Sequence, residues 1–193
     1  MFGWGKKERD PKGQKRTEPE KQNYGIPTVK FDPAKVTETV KANLRQNIKS
    51  LNEVGAGDFD MIYDAALRSI SAGGALHILY QALMTIDGTS KRRAEDISRS
   101  LNNKATATIQ AEGQEQLGIK YAIWLYSGAP CGSAEQDAAH KAANGKPYLV
   151  NKGMLLNGRW TRPGREDGCK CVSKPMIVGF DSYEGGKPKG FVE

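Results

Sequence analysis

At 193 residues the chain has room for one ordinary domain, or one with a tail, because domains commonly run about 100 to 150 residues. Its 38% apolar and 26% charged residues supply one core but lean polar, with a mean hydropathy of −0.61, so part of the chain is expected to lie outside that core. A net charge of +7 favours polyanionic partners, while no run approaches the roughly 18 apolar residues of a membrane span and the first residues carry no apolar leader segment.

Up to about residue 31 the chain is rich in Lys, Arg, Glu, Gln, Pro and Gly and poor in aliphatic side chains. Such a stretch cannot bury enough surface to offset its ordering entropy, and it reads as a flexible basic arm. Lys6, Lys7, Arg9, Lys12, Lys15 and Arg16 are its candidate nucleic-acid contacts, partly offset by Glu8, Asp10, Glu18 and Glu20. A solvated tail with no partner is the plain alternative, and Trp4, Tyr24 and Ile26 are possible anchors on a partner chain.

Residues 32–88 read as a helical docking region. Asp32-Pro33 is a helix-start signal, and Val36, Val40, Leu44, Ile48 and Leu51 form one apolar stripe that ends at Gly55-Ala56-Gly57. Asp58 is expected to cap a second helix carrying Met61, Ile62, Ala65, Ala66 and Ile70, broken at Gly73-Gly74. A short, nearly all-apolar run from Ala75 to Ile86 follows, and His77 within it reads as a hydrogen-bonded core histidine rather than a ligand.

Residues 89–181 read as a small α+β domain, and 182–193 as a loose tail. Asp87-Gly88-Thr89-Ser90 is a turn with a cap, followed by a helix from Lys91 to Leu117 with Ala94, Ile97, Leu101, Ala105 and Ile109 on one face, stopped by Gly118. Ile119 to Tyr126 is rich in β-branched and aromatic residues and predicts a strand. A short helix at about Ala134 to Ala143 is expected next, then turns and short strands around Tyr148–Val150, Met154–Trp160 and Pro175–Phe180. The expected fold class is therefore α+β.

Cys131, His140, Cys169 and Cys171 supply three thiols and an imidazole, a donor set that suits tetrahedral zinc. The Cys-x-Cys pair is tighter than the usual ligand spacing, so one disulfide with a free thiol, or simply packed cysteines, stand beside the metal reading. Assembling His140 with Glu135, Asp137 and a thiol into a nuclease-like or toxin-like centre is the enzymatic alternative. No P-loop, GxSxG or HExxH motif accompanies it.

The order of these features resembles a known family. Arg93 to Ser100, then Gln116-Leu117-Gly118-Ile119-Lys120, Ile123-Trp124-Leu125, Ser127-Gly128, Cys131, His140 to Lys146, Pro163-Gly164 and Cys169-Lys170-Cys171-Val172 resemble the phage minor head-morphogenesis family, which includes the F protein of phage Mu. The likeness covers about Lys91 to Val178. Leu101 stands where members often carry an acidic residue, and the Cys131 position is itself often acidic in the family. The resemblance implies a minor structural protein of a tailed-phage head. Such a protein associates with the portal or capsid protein and with packaged DNA, acts in head assembly or genome delivery, and resides in the virion after assembly in the host cytoplasm. It implies no catalytic centre.

Overall fold

The computed structural model describes residues 36–180 and 183–191. The basic arm with its six candidate contacts (Lys6, Lys7, Arg9, Lys12, Lys15 and Arg16) and the Asp32-Pro33 start signal lie outside the described residues.

The first helix, α1, spans Glu38–Lys49. It is capped by Thr37, whose hydroxyl accepts a hydrogen bond from the Val40 N–H at 3.3 Å. Val40, Leu44 and Ile48 fall at four-residue steps and are buried, as the apolar stripe predicts. Helix α2, Phe59–Ser71, buries Ile62, Ala65, Ala66 and Ile70. Asp58 precedes it without a side-chain capping bond, because its backbone is already helical at φ −96° and ψ −11°. Helix α3, Leu76–Leu83, turns Leu79 and Leu83 inward. His77 lies on the opposite side and is exposed, which corrects its assignment to the core: in a helix this short one face suffices for burial, and His77 is not on it.

Helix α4 spans Lys91–Gln116, capped by the Ser90 hydroxyl on the Arg93 N–H. Its first half contributes Ala94, Ile97, Leu101 and Ala105 to the core made with α1, α2 and α3. Its second half packs against the sheet, where Gln114 bonds Ser173 at 3.2 Å. One helix thus joins a helical core to a second, smaller core centred on Trp124, Tyr148 and the three cysteines. It does so although it begins just past the expected boundary at 88/89.

The second core lies under a three-stranded antiparallel sheet in the order β2-β1-β5, with β1 at Tyr121–Leu125, β2 at Pro147–Leu149 and β5 at Val172–Pro175. Helix α5, Ala134–Ala143, connects β1 to β2. The turns and short strands expected around Met154–Trp160 form a hairpin, β3 Met154–Leu156 with β4 Arg159–Thr161. Its turn is Asn157-Gly158 with φ of 49° and 74°, the left-handed pair that a two-residue hairpin of this hand requires. The expected strand over Pro175–Phe180 lies earlier in the chain: the ladder to β1 runs from Leu125↔Val172 to Ala122↔Pro175. After it the chain turns through the bridge Phe180↔Tyr183. The tail is packed rather than loose over its described part, with Tyr183 and Phe191 meeting the Tyr121 ring edge-on at 6.5 and 5.2 Å. Architecture and content are α+β. No helix among the described residues is long and apolar enough to cross a membrane.

Candidate metal centre

Three separate pieces of chain meet beside β1. Cys131 follows the turn that ends the strand, His140 sits in the last turn of α5, and Cys169 and Cys171 lead into β5. In extended backbone, residues two apart share a face, so the Cys-x-Cys spacing sends both sulfurs inward. Lys170 between them is exposed, and its N–H points back at the Cys131 sulfur at 3.5 Å.

The four ligand atoms lie within 4.8 Å of one another, and all four residues are buried. Cys131 Sγ is 3.7 Å from Cys171 Sγ, and His140 Nδ1 is 3.5 Å from Cys169 Sγ and 3.7 Å from Cys171 Sγ. Zinc bonds of ~2.3 Å to sulfur and ~2.05 Å to nitrogen at tetrahedral angles place sulfurs about 3.8 Å apart and sulfur and nitrogen about 3.6 Å apart. Three of the six spacings, Cys131–Cys171, His140–Cys169 and His140–Cys171, come close to those edges, and the remaining pairs lie within 4.8 Å, on a donor set suited to zinc. All three cysteines are free thiols, so the disulfide alternative is not what the structure contains.

The surroundings orient the donors. His140 turns Nδ1 to the sulfurs and Nε2 to the Glu166 carboxylate at 3.1 Å, a carboxylate–histidine pairing of the kind that fixes the tautomer of a metal-ligating histidine. The Trp124 ring packs edge-on against the imidazole at 4.9 Å. Cys169 Sγ accepts from the Gly164 N–H at 3.2 Å. Asp137 holds the Cys131 end: its Oδ1 accepts from the Cys131 N–H at 2.9 Å and from the Tyr126 hydroxyl at 2.7 Å, while Lys141 Nζ lies 2.7 Å from Oδ2. These partners, Lys141 foremost, hold the Asp137 carboxyl down at about 2, and Asp137 in turn raises the Tyr126 phenol to about 12. At the other end of α5, Asn144 Oδ1 accepts from the Tyr126 N–H at 2.9 Å and the Gly145 N–H donates to Trp124 O at 2.8 Å, pinning the helix that carries His140 to β1.

The loops that bear the cysteines approach so closely that glycine is required. A Cβ on Gly168, whose φ is +68°, would sit 2.9 Å from the Gly132 nitrogen. The pair of glycines lets residues 131–132 and 167–168 cross at van der Waals distance.

Electrostatically the thiols compete. A hydrogen bond from Cys169 lowers Cys171 to about 5; donating that bond, together with burial, raises Cys169, and burial raises Cys131. The cluster alone therefore accommodates one thiolate. A second and third thiolate, with the ligand atoms lying within 4.8 Å of one another, would be stabilised by a cation at the centre, which a divalent metal supplies. The buried Cys3His cluster could thus hold a metal ion.

All four sequence-assigned ligands come together, while Glu135 and Asp137 are placed away from the His140 ring. Asp137 is engaged with Cys131 and Tyr126, Glu135 is exposed, and both His140 nitrogens are occupied in a residue only 1% exposed. Glu166 was not anticipated. It stands in a Gly-Arg-Glu-Asp-Gly loop with no periodicity to mark it, and only the fold brings it to His140.

Comparison with known proteins adds little to this picture. No family model matches the chain, and no solved structure matches it. An uncharacterized protein of Haemophilus influenzae is 22% identical over 143 residues, 74% of this chain. The aligned region spans 30% of that relative's length.

Proposed function

We propose that Cys131, His140, Cys169 and Cys171 hold a structural zinc ion, and that the chain is a minor structural protein of a tailed-phage head, associated with the portal and the packaged DNA during head assembly or genome delivery. One observation carries the reading. The motifs on which the family resemblance rests, namely the Trp124 strand, Cys131, the His140-x3-Asn144-Gly145 turn, Pro163-Gly164 and Cys169-Lys170-Cys171, converge in space on a single centre. Ligands and supports far apart in sequence are there for one purpose.

Zinc supplies four bonds that tie the β1 turn, α5 and the approach to β5 together, in place of a larger apolar core. Four protein donors leave no position for a reactive water, which suits a structural rather than a catalytic ion. The basic excess suits a site next to DNA.

Co-expression with a tailed-phage portal protein, followed by size-exclusion chromatography and mass spectrometry of assembled heads, tests the role. The chain is expected to co-elute with the portal oligomer and to be present in heads at low copy. A chain found only free, and absent from purified heads, overturns it.

A further inference from the structure

A long cleft of about 810 Å³ runs between α4 and the loops of the metal centre, with the end of α1 as its floor. It is lined by five cations, Arg92, Arg93, Arg99, Lys104 and Lys170, against two acids, Asp96 and Asp167. We infer that this cleft is a nucleic-acid groove that takes a phosphodiester backbone, with one wall formed by α4 and the other by the metal-held loops.

The first wall follows from helix geometry. Arg92, Asp96, Arg99 and Asn103 recur at four- and three-residue steps and so share one face of α4. They extend over about 16 Å at 1.5 Å per residue, a length that passes roughly five phosphates of one strand at 3.4 Å each. A row of that length is far longer than a single phosphate needs. Arginine forks also match phosphate oxygens two at a time.

The second wall follows from the centre. Pro130, Gly132, Gly168 and Lys170 line it. Lys170 is flanked by two of the ligands and its N–H is directed at a third, so its exposed side chain is placed by the cluster.

Arg93 pairs with Glu53 at 2.6 Å, Arg99 with Glu95 at 3.6 Å and Lys104 with Asp167 at 2.6 Å. Arg99 and Glu95 are both more than half exposed, and a surface pair of this kind contributes little in water, so a phosphate can replace the acid there, whereas the Lys104 side chain is only 13% exposed and its pair with Asp167 stays in place. An acidic protein segment would be expected to anchor through apolar groups, whereas Ile97 and Leu101 are buried and, among the lining residues, Leu51 and Pro130 alone offer apolar surface.

The inference rests on the metal centre proposed above for its second wall. Fluorescence anisotropy of the metal-loaded full chain with a labelled duplex of about 20 base pairs, between about 50 and 200 mM salt, tests it. Removing the α4 pair, Arg92→Ala with Arg99→Ala, is expected to weaken binding at least ~10-fold and to reduce the salt slope by about 2, and Lys170→Ala to reduce it by about 1. Alanines at Lys6, Lys7, Lys12 and Lys15 should leave those groove contributions in place. Metal content is measured on the same samples. Variants that keep their metal yet bind DNA like the parent overturn the groove alone, whereas a parent without metal overturns the centre while the α4 variants still read the groove. Displacement of the DNA by an equal concentration of polyglutamate marks an acidic-protein surface and overturns the nucleic-acid assignment.

Discussion

Replacing Glu166 by alanine removes the one partner that His140 Nε2 has among the described residues and leaves a polar nitrogen buried in a residue 1% exposed. A hydrogen bond to an ionised group contributes about 1.5 to 3 kcal/mol. Loss of the carboxylate behind a metal-ligating histidine typically costs about 10- to 100-fold in metal affinity. The Glu166 side chain is 22% exposed, so water reaches the vacated space and replaces part of the lost bond. That places Glu166→Ala near the low end, about 10-fold or ~1.4 kcal/mol. Glu166→Gln keeps an oxygen acceptor without the charge; neutral bonds are about half as strong, so roughly threefold is expected. Competition against a chromophoric zinc chelator at neutral pH measures both. A Glu166→Ala variant that binds zinc as tightly as the parent refutes the orienting role.

Loading the site with zinc should release about two protons per chain at neutral pH, because burial and hydrogen bonding raise Cys131 and Cys169 while Cys171 is already low; titration calorimetry in buffers of different ionisation enthalpy counts them, and no release would contradict the assigned states. The Asp137 carboxyl is depressed from 3.8 to about 2 in the folded chain, so its stabilising contribution is complete above about pH 4 and vanishes as pH falls through about 2. Asp137→Asn should accordingly lower the urea midpoint at pH 7 and converge with the parent near pH 2, and a constant difference at all pH values would refute this. Gly168→Ala forces a side chain onto the Gly132 backbone in a left-handed conformation and should destabilise the C-terminal core by at least ~1–2 kcal/mol, read from thermal melting. Leu101→Ala empties a buried position of α4 and should cost about 2–5 kcal/mol; because α4 serves both cores, both should melt at the lower temperature together.

The helices were legible in the sequence where capping and periodicity agree. Ser90 and the face of Ala94, Ile97, Leu101 and Ala105 bounded α4 closely, and the α5 limits Ala134–Ala143 were read without error. Strands fared worse for a physical reason. Pairing between short strands is decided by partners distant in sequence, so the strand expected around Pro175–Phe180 falls at Val172–Pro175, while the limits of β3 and β4 on either side of the Gly158 turn follow from their pairing. The donor set of the centre was visible because cysteine and histidine are chemically distinctive. Its supports, Glu166 on His140 and Asp137 on the Cys131 N–H, are common acidic residues whose role exists only once the loops fold together.

Metal analysis with a thiol count, on protein purified under reducing, chelator-free conditions, bears most directly on the centre. About one zinc per chain, with the three thiols unreactive until a chelator and denaturant are added together, is the predicted result. Metal-free protein that melts at the same temperature with and without added zinc would contradict it.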